Sequence, residues 1–177
     1  MMRNFLTLSI SQLSVRKVPR IYDSRGFFQE LYREIDFSLF SPQLVQDNLS
    51  YSKGSVLRGM HFQDEQWQIL TVLSGSILDV TIDISKDSRT FLQTQKLIME
   101  ADGLNQLIIP PNVAHGFCAL SDEVYLLYKS SKYYGESKQH GISWNSEQII
   151  DLWPQNDWIV SDRDLGFVSL NEFLVQY

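Results

Sequence analysis

Two apolar runs joined through one glycine constrain this chain more than any other feature. Leu70-Thr71-Val72-Leu73 leads into Ser74-Gly75-Ser76, and Ile77-Leu78-Asp79-Val80-Thr81-Ile82-Asp83-Ile84 follows. The second run alternates, with Leu78, Val80, Ile82 and Ile84 on one face and Ile77, Asp79, Thr81 and Asp83 on the other. Successive strand side chains point to opposite faces, so this period of two predicts a half-buried strand. The glycine between two such runs predicts a hairpin. Further strands are expected over 95–99, 106–109, 116–120 and 124–129, separated by turn residues such as Ala101-Asp102-Gly103 and Pro110-Pro111-Asn112. Helical patterning is short, covering one to two turns at 32–40, 146–151 and 170–175. Many short strands with little helix predict an all-β sandwich or barrel, and a βαβ architecture would need longer helices.

The 177 residues correspond to one expected domain, 1–177, with no repeat, low-complexity tract or linker. Apolar residues at 44% and aromatics at 12% supply a core that disordered chains lack. A formal charge of −6 argues against a nucleic-acid surface but leaves room for a few arginines around one phosphorylated small molecule. The one cysteine, Cys118, excludes an intrachain disulfide, and its apolar setting Gly116-Phe117-Cys118-Ala119-Leu120 reads as a buried, inert thiol. The first residues lack a signal peptide's apolar stretch, and no segment approaches the ~18 apolar residues of a membrane span. The expectation is a cytoplasmic protein with no membrane partner.

Candidate chemistry centres on two histidines. His61 closes Val56-Leu57-Arg58-Gly59-Met60-His61, and His115 lies between Pro110-Pro111 and Gly116. A histidine where a turn meets a strand can face a sandwich interior and titrates near neutrality. Most isolated histidines are simply hydrogen-bonded or solvated, and His140, in a polar stretch, is expected to be solvated. A His-x-His metal cluster is broken, because Gln63 stands two residues after His61, so no bound metal is expected. Tyr125, Tyr128, Tyr133 and Tyr134 read as strand and packing residues, or as a pocket phenol and a stacking platform. Of the arginines, Arg58, between Leu57 and Gly59, is the one expected to point inward toward an anion, and the others, Arg163 among them, are expected mostly in solvent.

Ordered segments from about residue 20 to 165 resemble the dTDP-4-dehydrorhamnose 3,5-epimerase family, the sugar-nucleotide branch of the cupins. They include Asp23-Ser24-Arg25-Gly26-Phe27-Phe28-Gln29-Glu30, Gln46-Asp47-Asn48-Leu49-Ser50, Leu57-Arg58-Gly59-Met60-His61-Phe62-Gln63, Ala114-His115-Gly116-Phe117, Leu127-Tyr128-Lys129 and Ser161-Asp162-Arg163-Asp164. The resemblance implies a cupin-type jelly-roll β-sandwich with a few short helices. It also implies a cofactor-independent isomerase acting on a nucleoside-diphosphate 4-keto-6-deoxyhexose through an enolate. Carried over by motif, His61 is the base, Asp164 its carboxylate partner and Tyr128 the acid on the opposite face. His115 lines the pocket, Arg25 and Arg58 hold the diphosphate with Gln46 and Asn48 nearby, and Phe28, Glu30 and Tyr134 help place the nucleotide. The family works as a homodimer in which one subunit completes the other's site. Gln68 stands where the family usually carries a lysine beside the enolate oxygen. Mono-epimerisation, 3,4-ketoisomerisation, a non-catalytic sugar-binding cupin and a metal-dependent cupin oxygenase are the rival readings.

Overall fold

The computed structural model describes residues 5–37, 42–103 and 105–176. Among these, antiparallel strands build two facing sheets. The first contains, in spatial order, β1 (Phe5–Thr7), β2 (Ser14–Lys17), β10 (Asn105–Ile109), β7 (Gln68–Ser74), β12 (Glu123–Ser130) and β5 (Gln46–Lys53). The second contains β13 (Gln139–Gly141), β6 (Leu57–Gln63), β11 (Val113–Ala119), β8 (Ser76–Asp83) and β9 (Thr94–Glu100). β3 (Ile21–Asp23) and β4 (Gly26–Phe28) form a separate hairpin. This is the expected jelly-roll sandwich. α1 (Glu34–Phe37), α2 (Asp162–Leu165) and α3 (Leu170–Gln176) are short, and Ile150–Leu152 is a 3₁₀ turn. Residues 38–40 of the expected first helix lie outside the described residues. No helix among the described residues is long and apolar enough to cross a membrane.

Two apolar layers hold the sandwich. Between the sheets, Leu70, Val72, Leu107, Ile109, Val124 and Leu126 of the first meet Ile77, Met99, Val113, Phe117 and Ala119 of the second. Behind the second sheet, Leu57, Phe62, Leu78, Val80, Ile82 and Cys118 pack under Ile142, Ile149, Trp153, Leu170 and Phe173 of the C-terminal segment. Each fully buried side chain of this size stabilises by about 1.5–3 kcal/mol.

Two sequence expectations change here. Gly75 does not close a hairpin: β7 and β8 belong to different sheets, so the glycine marks a crossover. It has φ +81°, and a Cβ there would stand 2.2 Å from the Glu123 carbonyl oxygen, so only glycine fits this corner. Nor is β8 half-buried. Its apolar face is covered by the C-terminal segment, and its Asp-Thr-Asp face looks into the sandwich, leaving Asp79, Thr81 and Asp83 buried as well.

Candidate active site

An irregularity in β6 sets the site. Arg58 and His61 are three apart, and on a regular strand that odd spacing would send them to opposite faces. Here Phe117 pairs with Arg58 and His115 with His61, a register shift that inserts one extra residue into β6. Such a bulge returns both side chains to the inner face. Gly59 makes it possible, with φ +121° and a Cβ position only 2.5 Å from the Gly116 Cα. Its N–H turns to donate to Asp164 Oδ2 at 3.1 Å.

A cavity of about 670 Å³ opens between the sheets at this point. Gln46, Asn48 and Ser50 of β5, Tyr128 and Ser130 of β12 and Gln68 of β7 line one side. Arg58, His61 and Gln63 of β6, with His115 and Phe117 of β11, line the other. Gln66, residues 132–135 and 137–139 and Arg163 complete the wall.

Two histidine–carboxylate pairs occupy adjacent strands. His61 Nε2 lies 2.8 Å from Asp164 Oδ1, with Asp164 held at the start of α2, where Ser161 caps the helix. Burial alone would push the Asp164 carboxyl up. The His61 hydrogen bond and charge, the Gly59 N–H and Arg163 outweigh it and hold the group below the ordinary carboxylate range. An ionised carboxylate only accepts, so in the neutral imidazole Nε2 carries the proton and Nδ1 offers the lone pair. His115 Nδ1 lies 3.1 Å from Asp79 Oδ2. Asp79 is buried, and desolvation raises its pKa despite His115. Tyr128 faces these histidines from the other sheet, and burial raises its phenol to about 12, with Ser50 and Arg58 opposing the shift.

The structure therefore gathers His61, Asp164, Tyr128, His115, Arg58, Gln46, Asn48, Gln68 and Tyr134 at one cavity. Arg58 lines the cavity as expected but remains exposed, tied by Nε to Ser52 Oγ and by Nη2 to the Tyr51 carbonyl. Gln46 ties Asn48 to the Tyr134 N–H. Arg25, Phe28 and Glu30 are not brought to this cavity. Arg25 is 87% exposed and paired with Asp23, Phe28 is exposed on the β3–β4 hairpin, and Glu30 is exposed just after it. His140 is not a solvated loop residue. It belongs to β13, stacks on Phe62 and pairs with Asp64 at 3.1 Å. Sequence reasoning missed Asp79 and Gln63 as site residues; Arg163, exposed as expected, also borders the cavity. An acidic residue in mid-strand beside Ile77 was the available signal for Asp79. Among the described residues, no group of three or more His, Cys, Asp or Glu is arranged to hold a metal.

Comparison with known proteins agrees with this geometry. Residues 7–172 match the family model described as dTDP-4-dehydrorhamnose 3,5-epimerase. The dTDP-4-dehydrorhamnose 3,5-epimerase of Shigella flexneri is 36% identical, over 88% of this chain and 92% of its own. The crystal structure of dTDP-6-deoxy-D-glucose-3,5-epimerase from Legionella pneumophila, in complex with dTDP-4-keto-L-rhamnose, superposes with a TM-score of 0.87 at 33% identity, covering 95% of this chain and 93% of that one. The Bacillus anthracis dTDP-4-dehydrorhamnose 3,5-epimerase, with TDP and PPi bound, gives 0.87 at 34% identity, covering 94% and 99%.

Proposed function

This chain belongs to the dTDP-4-dehydrorhamnose 3,5-epimerase family, and on that premise we propose how its cavity inverts carbon 3, carbon 5 or both of a dTDP-4-keto-6-deoxyhexose. The carbonyl at carbon 4 acidifies the C–H bonds on the flanking carbons. His61 Nδ1 takes a proton from one of them, an enolate forms, and Asp164 supports the resulting imidazolium. Tyr128, a neutral phenol on the opposite sheet, returns a proton to the other face of the ring. Return from the opposite face is what inverts the centre. The observation that carries this reading is the facing arrangement: a His–Asp pair on one wall and a tyrosine with a desolvated phenol on the other.

Arg58 holds the diphosphate, Gln46 and Asn48 lie along the nucleotide, and Tyr134 offers a ring for it to stack on. His115, oriented by Asp79, and Gln68 border the sugar. The exposed β3–β4 hairpin supports a homodimer in which Arg25, Phe28 and Glu30 reach the cavity of a second copy. The whole chain acts as one domain, without a cofactor. A nucleotide-sugar substrate and a lone buried thiol fit a cytoplasmic enzyme.

Incubation with dTDP-4-keto-6-deoxyglucose in heavy water, followed by NMR, tests the reading. Deuterium is expected at carbons 3 and 5, and none with His61→Ala. Incorporation at a single carbon makes the protein a mono-epimerase. Binding without exchange at either carbon overturns the assignment.

A further inference from the structure

Beside His61 the cavity holds a pair of neutral amides. Gln63 and His61 are two apart at the end of β6 and both line the cavity. Gln68, at the start of β7 and 9% exposed, donates from Nε2 to Gln63 Oε1 at 2.8 Å. This bond links the two sheets at the cavity wall, since β6 and β7 lie in different sheets. It also fixes what Gln63 can offer. An amide has one carbonyl and one NH₂, and with the carbonyl turned to Gln68, the NH₂ is the donor end that faces away from it.

Of the four cations among the described residues that line the cavity, all but Lys138 have partners in the fold. Arg58 is tied to Ser52 and the Tyr51 carbonyl, Arg163 donates to Gln139, and Lys132 pairs with Glu65 at 3.5 Å. A reaction that draws a proton from the carbon next to a carbonyl places negative charge on the carbonyl oxygen, within the reach of groups flanking the base.

We propose that the Gln63 NH₂ is the hydrogen-bond donor to the substrate's carbon-4 oxygen, and that Gln68 is the positioning residue that keeps this NH₂ turned toward it. The inference rests on the epimerase reading above. It makes enolate stabilisation in this chain the work of oriented neutral dipoles. No proton changes hands at this pair. Electron density moves from the broken C–H bond onto the oxygen, and the donor strengthens its bond to that oxygen as charge develops.

The test compares rates of deuterium incorporation into dTDP-4-keto-6-deoxyglucose, with dTDP affinity measured in parallel. Gln63→Leu is expected to lower kcat by about 10²–10³-fold, the usual cost of losing an oxyanion donor, with dTDP affinity within about threefold. Gln68→Glu separates orientation from packing. A carboxylate only accepts, so it draws the Gln63 NH₂ away and turns the Gln63 carbonyl toward the substrate. Gln68→Met, uncharged and of similar length, neither donates nor accepts and so does not force the inverted Gln63 arrangement. Its rate is expected to exceed that of Gln68→Glu by at least about tenfold. Equal rates for these two, or a Gln63→Leu rate within threefold of wild type, overturn the inference. So does a loss confined to Lys138→Met, the other lysine on this wall. Absence of exchange in the wild type would instead defeat the underlying reading, so the two failures are distinguishable.

Discussion

His61 Nε2 and Asp164 Oδ1 meet at 2.8 Å although 103 positions separate them in the chain. The histidine comes from the middle of the sandwich and the carboxylate from a single-turn helix outside it. Asp164 is also bonded to the Gly59 N–H two residues before His61. One carboxylate thus fixes both the imidazole and the bulge that aims it.

Asp164→Asn is expected to lower kcat by about 10²–10⁴-fold, the range of a positioned acid–base group. Because the carboxyl pKa is depressed in the fold, its stabilisation is present above its unfolded value and disappears as pH falls through its folded value. The stability gap between wild type and Asp164→Asn, measured by denaturant titration, should therefore close below about pH 4.

Tyr128→Phe should separate exchange from inversion. His61 still exchanges a proton with heavy water, while reprotonation on the far face slows by about 10²–10⁴-fold. With its phenol raised to about 12, Tyr128 remains neutral across the working range. The pH–rate profile of the wild type should show no falling limb from this residue below about pH 11.

Gly59→Ala should destabilise the protein by about 1–3 kcal/mol from backbone conformation alone. The contact with Gly116 adds to this, and denaturant melts would read the sum. Activity per folded molecule should fall too, because the Gly59 N–H that holds Asp164 moves.

Asp79→Asn keeps a hydrogen-bond acceptor for His115 while removing a charge that burial disfavours. An aspartate whose pKa is raised in the fold costs stability as pH climbs above its unfolded value. The variant should gain on wild type in thermal melts as pH climbs above about 4.

Mixing subunits tests the dimer. Arg25→Ala and His61→Ala homodimers should both be impaired. Random heterodimers would restore one intact site in two, giving roughly a quarter of wild-type activity if the hairpin crosses to its partner. No recovery would place Arg25 outside the partner's cavity.

Much of the sandwich was legible from alternation: β8, β9, β10, β11 and β12 fall where the pattern put them. β5 was not. Its inward side chains Gln46, Asn48 and Ser50 line a polar cavity while Leu49 and Tyr51 face outward, which inverts the usual apolar-in rule. The same inversion hid Asp79 on β8. The hairpin expectation failed at Gly75 because a glycine reports a sharp corner without saying which sheet the chain enters next. His61 stood out from its neighbours, but its role and those of Tyr128 and Asp164 came from motif resemblance. Nothing local in Ser161-Asp162-Arg163-Asp164 says that the fold carries it to β6.

The bulge at Gly59 makes the length of this segment matter more than its composition. Inner and outer faces of a strand are a matter of parity, and one added residue reverses the count for everything beyond it. Removing a single residue between Arg58 and His61 would leave the two residues on one face of a regular strand, but without the bulge whose Gly59 N–H holds Asp164. Substitution can drift along β6, whereas straightening the strand at its present length, with no residue bulged out, would turn the base to the outer face.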